Sequence, residues 1–128
     1  MIIHDGGEEP IDLRARLGSD QVIWLHGFSA DIVVNGKKSR SVDWECPLSI
    51  DEAAKIISVI RGMWWLAVNE EFWFERSTKN GETWFEFVCR GSGSCLFRME
   101  SYEAIALQLV LEKLVAEAMT DKTKVRLS

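Results

Sequence analysis

The sequence has few of the residues that build metal sites and disulfide frameworks. It contains three cysteines and two histidines, and none of them stand at the close Cys-x-x-Cys type of spacing that zinc ligands adopt. An odd number of cysteines without a dense framework is typical of a reducing compartment. We therefore expect no metal and no cofactor, and a cytoplasmic location.

Long hydrophobic runs are also missing. No stretch approaches the roughly 20 apolar residues that span a bilayer, and residues 1–9 lack the basic region and apolar run of a secretory signal. The net charge of −5 repels phosphate backbones and anionic membranes at long range. These features argue against a membrane partner, and they require a local basic patch for any nucleic-acid partner.

The composition is that of a folded, soluble chain. Of the 128 residues, 47% are hydrophobic and 27% are charged, which is close to the average for globular domains. A chain of this length can bury one hydrophobic core. We expect a single domain over residues 1–128, with loose tails at about 1–9 and 121–128.

Hydrophobic alternation predicts seven strands, and the short connections between them favour antiparallel pairing. Asn35-Gly36 and Asn80-Gly81 are hairpin signals because both residues tolerate positive φ. The predicted strands cover residues 21–28, 31–34, 39–45, 64–68, 72–76, 83–90 and 95–99.

Two long helices and one short helix are predicted. Ser49 and Glu52 form a capping box in front of apolar residues at helical spacing, and Gly62 ends that helix. Ser101 caps a second helix from Tyr102 to Met119, and residues 10–17 are interpreted as a short helix. The fold class is α+β, an antiparallel meander sheet with both long helices packed on one face, in the order (α)βββα-ββββα.

The alternation also separates two faces of the later strands. One face is apolar and is expected to lie under the helices: Phe72, Phe74, Phe85, Phe87, Cys89, Cys95, Phe97 and Met99. The opposite face mixes Val88 and Leu96 with tryptophans and charges, a combination that suits a partner or ligand surface. Alternatively, arginine and glutamate stems simply cover the tryptophans in water. The candidate binding surface comprises Trp73, Trp84, Arg90, Arg98, Glu75 and Glu86.

The second helix carries more apolar surface than one packing layer needs. Its apolar residues extend beyond the ~100° stripe of an ordinary surface helix: Ile105, Leu107, Leu109, Val110, Leu111, Leu114, Val115 and Met119. Such a helix is either central or paired with another subunit. Since symmetric dimers are the commonest oligomers, we expect a homodimer.

No catalytic residues are predicted. Cys46 precedes Pro47 and is expected to be the least core-like thiol, but no spacing places a histidine beside it as a base. Glu75 and Glu86 are more simply neutralised by the arginines of the same face than tuned for acid–base catalysis. The hairpin also allows Cys89 and Cys95 to lie opposite one another, where an oxidant could join them, but the sequence does not decide whether they form a disulfide.

Two classes of function remain. The strand-meander-plus-helix layout, present twice, resembles that of Whirly-type single-strand binders, and the preceding short helix with acidic charge resembles small dimeric secretion chaperones. Both likenesses concern layout and carry no site residues. The leading hypothesis is a non-enzymatic, homodimeric protein-binding module, such as an adaptor, inhibitor or chaperone.

The alternative is a binder of an anionic ligand, either a nucleotide or a single-stranded nucleic acid. Trp73, Trp84, Arg90, Arg98 and the Gly91–Ser94 loop would form its site, because aromatics stack on bases and cations bind phosphates. Further cations stand near the two predicted hairpins: Lys37, Lys38, Arg40, Arg76 and Lys79.

Overall fold

The computed structural model describes the backbone of residues 2–3, 11–28, 32–34, 37–39 and 42–127, and the side chains of residues 12–27 and 45–120. It confirms the α+β class. The helices are α1 (Ile50–Arg61) and α2 (Ser101–Leu127). The described strands are β1 (Ile2–Ile3), β2 (Ile11–Leu17), β3 (Ile23–Phe28), β4 (Ile32–Val34), β5 (Lys37–Ser39), β6 (Val42–Leu48), β7 (Trp65–Ala67), β8 (Phe72–Lys79), β9 (Glu82–Cys89) and β10 (Cys95–Glu100).

The strands form two antiparallel sheets rather than one meander. Sheet 1 has the order β1-β2-β3-β6, sheet 2 has the order β10-β9-β8-β7, and β4 pairs with β5 in a separate ribbon. Helix α1 separates β6 from β7, and β7 pairs only with β8 among the described strands. Local alternation predicts where strands lie, but it does not predict which strands pair across a helix.

The predicted short helix over residues 10–17 is wrong, because Ile11–Leu17 is strand β2. Leu13 is buried and Leu17 packs against the core, whereas Arg14 and Arg16 are exposed. This is a period of two, as in a half-buried strand. The helix interpretation counted apolar positions that are all odd-numbered and overlooked the charges between them.

The hairpin predictions had different outcomes. Asn80 and Gly81 have φ values of 53° and 79°, so the predicted turn between β8 and β9 is confirmed. The other predicted turn, Asn35-Gly36, lies outside the described residues. The strand predicted over 39–45 is found as two pieces, β5 and β6.

Helix α1 begins as predicted. The Ser49 Oγ atom accepts a hydrogen bond from the Glu52 amide at 3.1 Å, and Glu52 Oε1 accepts one from the Ser49 amide at 2.8 Å. The helix ends at Gly62, whose amide donates to the Ser58 carbonyl oxygen. Its buried residues lie on one side: Ala53, Ile56, Ile57, Val59 and Ile60.

Secondary structure is found near both ends of the chain. Ile2–Ile3 pairs with β2 in sheet 1, while residues 4–9 lie outside the described residues. Helix α2 continues past Met119 to Leu127. At its start, Glu103 Oε1 accepts a hydrogen bond from the Glu100 amide at 3.0 Å. The predicted end came too early because the apolar pattern stops at Met119 although the backbone remains helical.

One hydrophobic cluster joins both halves of the chain. Helix α1 contacts β6, β7 and β8, helix α2 contacts β2, β9 and β10, and the helices contact each other. Buried residues of both sheets and both helices belong to this cluster. A shared cluster favours a single domain, which stays a prediction. None of the described helices combines the length and the apolar character that crossing a membrane requires.

Candidate functional site

The register of sheet 2 brings most of the predicted site residues onto one face. Residues directly opposite each other in antiparallel strands share a face. Glu75 lies opposite Glu86, and Glu86 lies opposite Arg98, so three charges form a row across three strands. We call this surface the tryptophan face, and it comprises Trp65, Trp73, Glu75, Trp84, Glu86 and Arg98.

Trp84 is the best-placed aromatic of the tryptophan face for binding. The guanidinium carbon of Arg98 lies 5.8 Å from the centre of the Trp84 ring, within cation–π range. Trp84 also lines a cleft of about 380 Å³ together with Tyr102. The cleft connects the tryptophan face to the first turn of α2.

Trp73 is more deeply packed than the sequence predicted. It lies opposite Val88, which is only 3% exposed although it belongs to the same outer face. The Nε1 atom of Trp73 is buried and has no hydrogen-bond partner within the described chain. Trp73 therefore helps to cover its own sheet, as the alternative interpretation of this face expected.

Arg90 lies at the rim and holds a turn. Its Nη1 atom donates to the Asn69 carbonyl oxygen at 2.9 Å, and its amide donates to the Glu71 carbonyl oxygen at 2.7 Å. In the neighbouring loop, the Gly93 amide donates to the Cys89 carbonyl oxygen and the Ser94 amide donates to Ser92 Oγ. These contacts leave fewer groups for the anion site that the loop and Arg90 would form.

A β-bulge in β10 reverses two predicted orientations. Cys95 lies opposite Val88 and Phe97 lies opposite Phe87, so Leu96 is an extra residue. Leu96 therefore packs against the core instead of lying on the tryptophan face, and Cys95 is exposed. An irregularity of one residue cannot be read from simple alternation.

The bulge also separates the two cysteines that the hairpin allowed to face each other. Cys89 lies opposite Phe72, whereas Cys95 lies opposite Val88 on the other face of the sheet. Neither cysteine is part of a disulfide. The register therefore does not support a pairing of Cys89 with Cys95.

Cys46 is the most buried thiol, not the least core-like one. It is 1% exposed and lines a cleft of about 470 Å³ between β6 and the turn after β7. Burial, together with the negative charges of Glu52 and Glu71, raises the pKa of the Cys46 thiol to about 12. A thiol that stays protonated is a poor nucleophile, so these surroundings disfavour nucleophilic attack by Cys46.

Arg76 has a structural role that the sequence did not reveal. It points to the core side of sheet 2, and its Nη2 atom donates to the carbonyl oxygens of Val59 and Ile60, each at 3.0 Å. These are carbonyl groups of the last turn of α1, where a cation is favourable. Arg76 therefore ties α1 to sheet 2, and it is not placed to bind an anionic ligand.

An apolar patch at the edge of sheet 2 was also missed. Met63, Trp64 and Trp65 are 47%, 68% and 49% exposed. Trp65 lies opposite Glu75 and so extends the tryptophan face onto β7. The available signal was the run of three large apolar residues directly after the helix-ending Gly62. We call these three residues the edge patch.

Helix α2 presents a second apolar stripe to solvent. Its exposed apolar residues recur at intervals of three, four and seven, whereas Leu107, Leu111 and Ala118 are buried on the opposite side. A repeat of this kind is typical of helices that pair with another helix. We call this surface the α2 stripe, and it comprises Tyr102, Ile105, Leu109, Ala116 and Met119.

The outer face of sheet 1 gathers a smaller aromatic cluster. Arg16 lies 5.7 Å above the centre of the Trp24 ring, and that ring stacks on His26 at 6.2 Å. His26 Nδ1 lies 3.5 Å from Glu45 Oε1. Among the described residues no three histidine, cysteine, aspartate or glutamate side chains are grouped to hold a metal ion.

No family model, no curated protein and no solved structure matches this chain. The resemblances in layout noted from the sequence therefore gain no support from a solved structure. Function has to be argued from the chain's own surfaces.

Proposed function

We propose that this chain is a non-enzymatic protein-binding module that works as a homodimer. One observation carries the proposal. Of the eight large hydrophobic residues that are exposed among the described side chains, five lie on α2: Tyr102, Ile105, Leu109, Val110 and Met119. Exposed apolar surface of this extent on a folded domain marks an interaction site.

A second copy is the occupant that suits the α2 stripe. In an antiparallel helix pair, residues whose numbers sum to a constant lie opposite each other. One such register places Ile105 against Ala116 of the second copy, and Tyr102 against Met119 of the second copy. Each layer then combines a large side chain with a smaller or more flexible one. An isologous contact of this kind closes as a dimer.

Glu112 selects the antiparallel direction. It occupies the gap in the repeat between Leu109 and Ala116, and its Oε1 atom accepts a hydrogen bond from Gln108 at 3.0 Å. In a parallel pair two Glu112 carboxylates would meet directly, and opposed like charges are destabilising. In the antiparallel register Glu112 lies against Leu109 instead.

Sedimentation equilibrium at micromolar concentration tests the dimer. The unaltered protein should approach about twice the chain mass of 14.6 kDa, and Leu109→Glu should sediment as a monomer because it places two charges in the seam. Ala54→Glu is the matched control, since it adds the same charge at an exposed position of α1. A monomer for the unaltered protein, or a dimer that survives Leu109→Glu, overturns the proposal.

The tryptophan face is proposed as the surface that binds the protein partner. Tryptophan and arginine are enriched among residues that dominate binding energy, and Trp84 beneath Arg98 combines the two. The glutamates of the same face would supply a polar rim that favours a partner with some positive charge.

The double variant Trp73→Ala with Trp84→Ala tests that surface. Helical circular dichroism should stay largely intact, because both side chains project from the face opposite the helices. Partners that co-purify with the native protein should be lost. Trp24→Ala on sheet 1 is the control, being a half-buried tryptophan elsewhere. Unfolding of the double variant would mean that these side chains belong to the core, and unchanged co-purification would mean that the face is ordinary solvated surface.

A further inference from the structure

Within the described chain, one edge of strand β7 pairs with no other strand. Strand β7 is the terminal described strand of sheet 2. On its inner edge the Arg76 amide donates to the Trp64 carbonyl oxygen at 2.8 Å, and the Val68 amide donates to the Phe72 carbonyl oxygen at 3.0 Å. Backbone groups alternate in direction along an antiparallel strand. The N–H and C=O groups of Trp65 and Ala67 therefore point away from β8.

The edge patch lies along this same edge. Trp65 is on the tryptophan face, and by alternation Trp64 is on the opposite face. A strand added here would pass between two indoles, one above and one below the sheet. Proteins usually protect an edge with lysine, proline or a covering segment. Apart from its shortness, β7 carries no such protection among the described residues, and the three residues of the edge patch at its amino end are 47–68% exposed.

We propose that the β7 edge binds an extended segment of the partner protein as an added antiparallel strand. Main-chain hydrogen bonds to Trp65 and Ala67 would supply affinity, and the two tryptophans would select apolar side chains at alternate positions, as in other cases of strand addition. The inference rests on the proposed function, because it specifies how the partner meets the tryptophan face.

The charges beside β7 indicate which residues the bound segment carries at its amino end. Glu70 and Glu71 follow the carboxyl end of β7, and Arg61 precedes its amino end. The amino end of an antiparallel segment lies beside Ala67, close to the two glutamates. The segment is therefore one with lysine or arginine before its apolar positions.

A second copy of this chain is the less suitable occupant. The two copies are already joined along α2 in the proposed dimer. Pairing β7 with the β7 of another copy would add a second two-fold contact, which extends into open assemblies unless it closes. A partner segment uses the edge without that consequence.

Ala67→Pro is the substitution that tests the edge. Its amide points to the open side, so proline removes an outward donor without removing a hydrogen bond to β8. Proline is tolerated on an edge strand in this orientation, and its ring obstructs an added strand. Ala67→Val is the matched control, because it enlarges the side chain and keeps the amide. Thermal melts of both variants should stay close to that of the unaltered protein.

A displayed library of random peptides of about ten residues, the upper length of an ordinary strand, serves as the probe. The unaltered protein should enrich peptides with alternating apolar residues behind a basic one. Ala67→Pro should weaken these peptides about tenfold or more, since one lost hydrogen bond and a steric block act together, and Ala67→Val should bind them normally.

Three outcomes would overturn the inference. If no peptide is enriched, the edge is not a binding site. If enriched peptides are indifferent to Ala67→Pro but lost with Trp84→Ala, the module binds proteins through the tryptophan face alone, and only the strand-addition inference fails. A larger assembly that Ala67→Pro dissolves would assign the edge to a second copy.

Discussion

The two halves of the molecule share a layout but differ in what they leave uncovered. Each half is a set of antiparallel strands followed by a helix. Helix α1 has one apolar side, and its large buried residues all face the core. Helix α2 has a buried side and, in addition, the α2 stripe. The edge patch and the tryptophan face also belong to the second half.

The contrast indicates that the two halves have different roles. Among residues 12–27 and 45–61, no large hydrophobic side chain is exposed, whereas the second half adds apolar surface that the monomer does not use. Since exposed apolar surface is rarely extensive without a binding role, the second half is where partners are expected. Each prediction below compares a residue with a residue of the same type elsewhere in the molecule.

The largest expected difference is in thiol reactivity. Raising the pKa of Cys46 to about 12 lowers its thiolate fraction by roughly a thousandfold near neutral pH, since each pKa unit is a factor of ten. Burial restricts reagent access further. Cys95 is exposed and should alkylate first in the native protein, with Cys46 reacting only after unfolding. Mass mapping of iodoacetamide adducts over time measures the order of alkylation. Early modification of Cys46 would contradict its burial in the core.

The second-largest effect is expected from substitutions on the two sides of α2. Leu111 is fully buried and Leu109 is 61% exposed. Leu111→Ala should lower the free energy of unfolding by about 2–5 kcal/mol, because it removes buried methyl groups and leaves a cavity. Leu109→Ala should change monomer stability by less than about 0.5 kcal/mol. Urea denaturation at a protein concentration below dimer formation measures both, and equal losses would mean that the α2 stripe is covered.

Arg76 connects the halves and should have an intermediate effect. Arg76→Met keeps an aliphatic stem but removes both hydrogen bonds to the last turn of α1. We expect a loss of about 2 kcal/mol, as for hydrogen bonds made by a charged donor. Arg98→Met is the control on the opposite face and should cost much less. If both variants lose the same free energy of unfolding in denaturant, Arg76 does not stabilise the contact between α1 and sheet 2.

Much of the local structure was predictable from the sequence. The capping box of α1 and the Asn80-Gly81 turn depend on nearest neighbours, and both are found where the pattern places them. The alternation of β8 and β9 likewise predicted the buried phenylalanines. These features are determined by the chain's own short-range geometry.

What failed was decided by contacts between distant residues. The sequence does not show that β6 and β7 belong to different sheets, because strand pairing across a helix is a tertiary property. The bulge at Leu96 inverted the predicted side of Cys95 for a similar reason. Of the candidate site, the tryptophan face followed from alternation, whereas the open edge of β7 required the register of its pairing with β8.

The smallest predicted effect concerns the start of α1, where the first half is most fully specified by its own sequence. Ser49→Ala removes the oxygen that accepts the Glu52 amide at 3.1 Å and leaves that donor without its cap. The usual cost of losing such a cap is about 1 kcal/mol. Ser58→Ala is the matched control, because the Ser58 hydroxyl donates to the Ala54 carbonyl oxygen within the same helix and contributes little there. Paired urea titrations should separate the two variants by their midpoints with an unchanged slope. If the two midpoints coincide, the capping box does not stabilise α1 and the helix is held by packing and by Arg76 alone.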